Sequence, residues 1–156
     1  MGKSIRLGQL GAWVVLWSAL SVPVFAQSAP AALKGKIITS SKEIELSATD
    51  AGLVAKLQKQ DVSKFTPDEE GRYTVYFVAF FNQPLPEESI GVVVLDGKKE
   101  AVAVADVKGT KGQTTLSSQM LVDSTETPNK PHVLQVFFLK NKKTVVLAKK
   151  EIFLKK

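Results

Sequence analysis

The sequence predicts a mainly β fold, a two-layer antiparallel β-sandwich with one short helix. Three observations carry that expectation. From Arg72 onward, short runs rich in β-branched and aromatic residues recur between turn-forming clusters. Only one stretch, near residues 51–60, has the apolar spacing of a helix. Strands and helices do not alternate, which argues against a parallel α/β sheet.

The elements follow in chain order. Residues 1–26 read as a secretory signal peptide. Lys3 and Arg6 precede an apolar stretch from Leu10 to Leu20, and Pro23 leads into the small-residue step Val24-Phe25-Ala26. The stretch is shorter than a bilayer span and is broken by Ser21 and Pro23. Cleavage after Ala26 would leave Gln27 first. Lipidation there would need a cysteine, and the chain has none. Residues 27–33 are small and contain a proline, and so read as a flexible leader with nothing to bury. A single domain is expected over 34–156.

Two extended stretches open that domain, Gly35–Thr39 and Glu43–Leu46. In the second, Ile44 and Leu46 alternate with Glu43 and Glu45, the pattern of a half-buried strand. The helix then places Leu53, Val54 and Leu57 on one face, with Thr49 or Asp50 available to cap it. The run Arg72–Phe81 is apolar on both faces. Tyr73, Val75, Phe77, Ala79 and Phe81 share one face; Tyr76, Val78 and Phe80 share the other. Such a strand is either covered on both sides or offers its second face as a surface. Pro84 and Pro86 end it.

Ile90–Leu95 and Glu100–Val107 flank Asp96-Gly97, a type I′ hairpin signal. A strict two-residue turn would set Val94 opposite Lys99, so a longer loop stays open. Thr114–Val122 is a further strand after the turn Lys108–Gly112. His132–Leu139 and Thr144–Leu147 form a last hairpin across Lys140–Lys143, and Glu151–Leu154 is its continuation or one more strand. Seven to nine strands result.

Within this pattern, Glu69-Glu-Gly71-Arg-Tyr73-Thr-Val75 resembles the acid-x-Gly-x-Tyr-x-apolar step of immunoglobulin-like domains. The resemblance covers seven residues. Val75 stands where the family often has cysteine, Glu69 replaces Asp, and the step comes early in the chain. It implies a sandwich of immunoglobulin-like general architecture, with Tyr73 making a corner.

Composition bounds the chemistry. The mature chain would have 130 residues, enough to bury a core without staples. The absence of cysteine removes disulfides, thiol catalysis, thiolate zinc sites and iron–sulfur ligation. For an exported protein, that suits a bacterial periplasmic or secreted domain. The formal charge of +6 includes Lys3 and Arg6, so the mature chain carries +4. Residues 130–156 hold eight lysines and one acid, Glu151, while residues 27–129 carry a net −3.

No residue cluster announces a reaction. His132 is the sole histidine and reads as a partly exposed ring at a loop–strand junction. Glu69/Glu70, Glu87/Glu88 and Asp96 with Glu100 read as solvated turn charges. Neither a calcium loop nor a phosphate-binding glycine motif is present. Ser117-Ser118 lacks any sign of a base. No catalytic residue, metal or cofactor is expected, and a hydrolase using buried carboxylates is the residual enzymatic alternative.

The first expectation is an exported, non-enzymatic binding or assembly module that contacts another envelope or extracellular protein. The second is a binder of anionic lipid, lipopolysaccharide or acidic glycan through Lys140, Lys142, Lys143, Lys149 and Lys150. Lysines on turns and edges also serve simply to discourage aggregation. Tyr73, Tyr76 and Phe80 are candidates for an aromatic surface, set against core packing. Nucleic acid is not expected as a partner. Self-association stays open.

Overall fold

The computed structural model describes residues 30–46, 52–86, 88–123 and 125–156. The signal-peptide span 1–26, leader residues 27–29 and the cap candidates Thr49 and Asp50 lie outside these.

The chain is mainly β, with one helix and two sheets. In order come β1 (Ile37–Ser40), α1 (Leu53–Gln60), β2 (Lys64–Phe65), β3 (Tyr73–Phe80), β4 (Ser89–Leu95), β5 (Ala101–Lys108), β6 (Thr115–Val122), β7 (Pro131–Lys140) and β8 (Lys143–Leu154). A three-stranded sheet runs β1-β3-β6. A curled five-stranded sheet runs β2-β8-β7-β4-β5. All pairings are antiparallel except β2 with β8, a two-residue parallel contact that corrects the wholly antiparallel expectation.

The two sheets share one core. Tyr73, Val75, Phe77 and Ala79 of β3 meet Val92 and Val94 of β4, Leu134, Val136 and Phe138 of β7, and Ile152 and Leu154 of β8. Alternation puts the remaining β3 residues on the other side of the small sheet. There Val78 and Phe80 join Leu33, Ile38, Ile44 and Leu57 in a second cluster. Helix α1 lies over that cluster, so β3 is covered on both faces. An eight-residue helix is marginal in water, and the burial of Leu57 holds it in place. It starts two residues later than expected, with Gly52 at its N-cap and no side-chain cap bond.

Two other expectations change. Leu33, assigned to the leader, ends a short 3₁₀ turn (Ala31–Leu33) and is fully buried beneath the helix layer. Glu43–Leu46 is not a strand. Ile44 is buried as its alternation suggests, but the segment crosses the sheet face without a ladder partner.

The hairpins differ in turn type. Between β7 and β8, Asn141 and Lys142 have φ of 52° and 62°, the two positive values a type I′ turn requires, and Lys140 faces Lys143. Between β4 and β5 the positive φ falls on Lys99 (66°) and not on Asp96-Gly97. The Asp96 N–H donates to Glu100 O at 2.9 Å and the Lys99 N–H to Asp96 O at 3.0 Å, which makes a three-residue loop. The Asp96 carboxylate stabilises it by accepting the N–H groups of Lys98 (2.8 Å) and Glu100 (2.9 Å). β8 is continuous through Glu151–Leu154, with a bulge opposite Val136/Phe137.

Candidate interaction surface

The lysine-rich tip is built by the type I′ turn. Its two-residue length brings Lys140, Lys142 and Lys143 together, all exposed. Lys149 and Lys150 do not join them. They lie six and seven residues further along β8, roughly 20 Å away at strand rise. Neighbours on a strand also point to opposite faces. Lys149 is exposed beside Gln135. Lys150 turns inward, and its ammonium pairs with the carboxylate of Asp61, with 14% of its side chain accessible. Asp61 also accepts the Thr39 N–H at 2.9 Å, so this lysine ties β8 to β1 and is not free for an anion. The five-lysine patch therefore reduces to a cluster of three.

The aromatic surface does not form either. Tyr73 and Phe80 are buried, because one faces the shared core and the other lies under α1. Tyr76 is half-buried, between Ser40 and Gln119 in the small sheet. The Tyr73 hydroxyl donates to Lys155 O at 2.6 Å. That bond reaches a segment 82 residues on, whereas the immunoglobulin-like corner closes onto nearby backbone. The turn before it is organised by Asp68 rather than Glu69. The Asp68 carboxylate accepts the Arg72 and Glu70 N–H groups, each at 2.9 Å.

His132 corrects the expectation of a partly exposed ring, for it is fully buried. Its Nδ1 lies 2.9 Å from Lys130 O, which can only accept, so the Nδ1–H donates there. Nε2 and the Thr125 hydroxyl share a hydrogen bond at 2.9 Å. That hydroxyl in turn accepts the Thr127 N–H at 3.1 Å. The ring thus fastens the loop before β7. Two carboxyls are held below the usual aspartate range. For Asp96 the chief cause is the Glu100 N–H, and for Asp68 the Arg72 N–H; desolvation opposes both.

Two shallow clefts are present among the described residues. One, of about 210 Å³, holds Asp68 beside Lys64 and Arg72. The other, of about 270 Å³, has Lys149, Asn82 and Gln135 and no carboxylate. No group of three or more His, Asp or Glu gathers at metal-binding distance among the described residues.

The surface that sequence reasoning missed is the outer face of the large sheet. Register places Val104 beside Val93, Phe137 beside Val146, and Leu95 beside Val133. Val104 is 64% exposed, Leu139 55% and Val146 37%. The Phe137 ring lies directly over Gly91, where a side chain would collide with it. No described helix covers this face, unlike that of β3. The signal was available: Val133–Leu139 and Ile90–Leu95 are apolar at both parities, as β3 is.

No family model matches the chain, and no curated protein matches it. Among solved structures, it is similar to a crystal structure of the β-glucuronidase of Parabacteroides merdae. The TM-score is 0.41 at 8% identity, and the match covers 58% of this chain and 12% of that one.

Proposed function

We propose that the chain is an exported, non-enzymatic binding or assembly module that works in the bacterial periplasm or outside the cell. In this reading it is a β-sandwich of immunoglobulin-like general architecture. It offers the outer face of its larger sheet to another protein. The observation that carries the reading is that face: an apolar patch of Val93, Val104, Phe137, Val146 and Leu139, with Asp106 and Lys149 at the ends of its cross-strand rows and Gln135 between Val93 and Lys149. Apolar patches with a polar border mark contact surfaces on soluble domains. The test is capture of a partner from the native envelope by the mature protein. Leu139→Lys and Val146→Lys, both at exposed positions, should abolish that capture while leaving the fold intact. Equal recovery with wild type and variants would overturn the reading. So would saturable turnover of an envelope substrate that one Asp or Glu change abolishes.

A second reading rests on Lys140, Lys142 and Lys143. Three ammonium groups on a rigid turn suit an anionic lipid, lipopolysaccharide or acidic glycan. Binding to anionic vesicles should then weaken steeply with salt and fall in the triple Gln variant. Binding that is the same in the variant would exclude this route.

A further inference from the structure

We propose that the end of the large sheet bearing the β7–β8 turn docks on an anionic lipid bilayer, with Lys108, Lys111, Lys140, Lys142 and Lys143 on the headgroups and Leu139 entering among them. This rests on the second reading above, an anionic partner for the turn. It deepens that reading by adding two lysines from a distant part of the chain and by naming the partner as a bilayer.

Strand register collects these residues. Leu139 pairs with Thr144, and Lys140 with Lys143, at the end of the hairpin. β4 runs antiparallel to β7, and continuing its Gly91–Phe137 pairing by two residues sets Ser89 level with Leu139. Ser89 pairs in turn with Lys108. Lys108, Ser89, Leu139 and Thr144 therefore form the last cross-strand row of the outer face. Two strand spacings, about 10 Å, separate Lys108 from Leu139. Lys111 follows in the turn after β5. The Gly112 N–H donates to Leu85 O at 2.8 Å and the Gly109 N–H to Glu88 O at 2.7 Å, which holds that turn against the same end. All five lysines are exposed, and none is ion-paired among the described residues. Lys36, just before β1, is exposed at this end of the small sheet.

Two described acids stand near them, Glu88 and, one row further in, Asp106. Glu87 lies outside the described residues. The opposite end is balanced. Asp68 and Glu70 pair there with Arg72, and Asp96 and Glu100 share their loop with Lys98 and Lys99. Lys155 and Lys156 also lie there, their N–H groups bonded to Phe65 O and Asn129 Oδ1. Excess basic charge thus belongs to one end of the fold and not to one stretch of sequence.

The chemistry favours a bilayer over a glycan. The five lysines sit on separate turns, and neither cleft includes any of them. Ammonium groups on long stems suit mobile headgroups, whereas a carboxylate or sulfate held in fixed geometry favours the fork of arginine. Leu139 is 55% exposed in their midst, and a soluble polyanion gives it nothing apolar to enter. Apolar and basic side chains presented together are the pattern of interfacial docking.

The test is co-sedimentation of the mature protein, free of the apolar stretch Leu10–Leu20, with vesicles. Vesicles of phosphatidylglycerol and phosphatidylcholine should bind it in a salt-sensitive way, and phosphatidylcholine alone should not. A lysine at an anionic surface contributes about fivefold in affinity, so Lys108→Gln with Lys111→Gln should weaken binding roughly twentyfold. Lys155→Gln with Lys156→Gln removes the same charge from the other end and should leave binding nearly unchanged. Leu139→Ser should weaken it about fivefold. Leu121→Ser, at an exposed position on the other sheet, should not. Full binding by the Lys108/Lys111 variant would overturn the inference; if the Lys140/Lys142/Lys143 variant still lost binding, the reading of the turn alone would stand. Equal losses in the two lysine pairs would reduce the effect to net charge and overturn it too. So would an absence of vesicle binding at low salt, or tighter retention by a soluble polyuronate than by the vesicles.

Discussion

Replacing Gly91 by alanine tests whether the outer face of the large sheet is packed as described. A methyl group on Gly91 would lie 2.7 Å from both Cε atoms of Phe137, and closer still to Cζ. Ordinary carbon contacts are about 3.5–4.0 Å, so the ring must retreat by roughly 1 Å. Two effects compete. Removing a glycine from a strand interior stabilises by about 0.5–1 kcal/mol through the unfolded chain. Forcing a packed ring aside costs about 1–3 kcal/mol. Phe137 is half-buried and sits beside Val146, so it cannot swing freely. Steric cost should win, with a net loss of about 1 kcal/mol. Urea denaturation should show a midpoint lowered by roughly 0.5–1 M with an unchanged slope. Phe137→Leu should relieve the clash, so that the Gly91→Ala cost shrinks or reverses in that background. A neutral Gly91→Ala variant, or costs that simply add, would refute the packing of this ring on Gly91.

Three more outcomes follow from the geometry. Tyr73→Phe should cost about 1 kcal/mol, because the Lys155 carbonyl loses its buried donor, and hydrogen exchange near the end of β8 should quicken most. Leu57→Ala should cost about 2–4 kcal/mol by emptying the cluster beneath α1, with helix amides exchanging faster while β7 and β8 stay protected, as native-state exchange would show. Asp68 and Asp96 have folded pKa values lowered below their unfolded values. Their contribution is therefore present above the unfolded aspartate value, about 3.9, and lost as pH falls through the folded values. Acid urea titrations should show stability declining there, and Asp96→Asn, which keeps an acceptor but no charge, should flatten the decline.

Periodicity revealed which side chains are buried better than which backbones pair. Ile44 is buried as its alternation implies, yet its segment joins no sheet. Alternation reports the environment of side chains, and a sheet face can supply it without a ladder. The lysine-rich hairpin was legible because Lys140–Lys143 left room for only a short turn. The Asp96 loop was not, because its conformation depends on a carboxylate bonding its own backbone, and that moves the positive φ from Gly97 to Lys99. β2 is too short to leave a pattern. The candidate surface was legible only in part. Lys149 and Lys150 are adjacent in sequence, but strand geometry sends them to opposite faces. β3, β4 and β7 look alike in being apolar on both sides. Chain connectivity then lays α1 on the first and leaves the others open, which composition does not encode.

The place of β8 in the large sheet bears on when this chain can fold. It lies between β2 and β7, and its end bonds back to Ser63, Phe65 and Asn129. Nothing upstream of Lys143 can complete that sheet, because β2 has no other neighbour and β7 lacks one side. Contacts that span most of a domain also form slowly. Until Leu154 has been made, the preceding strands have no closed core to join. A polypeptide that postpones its own closure in this way stays threadable, which is the condition a translocation channel would set for the export proposed for it.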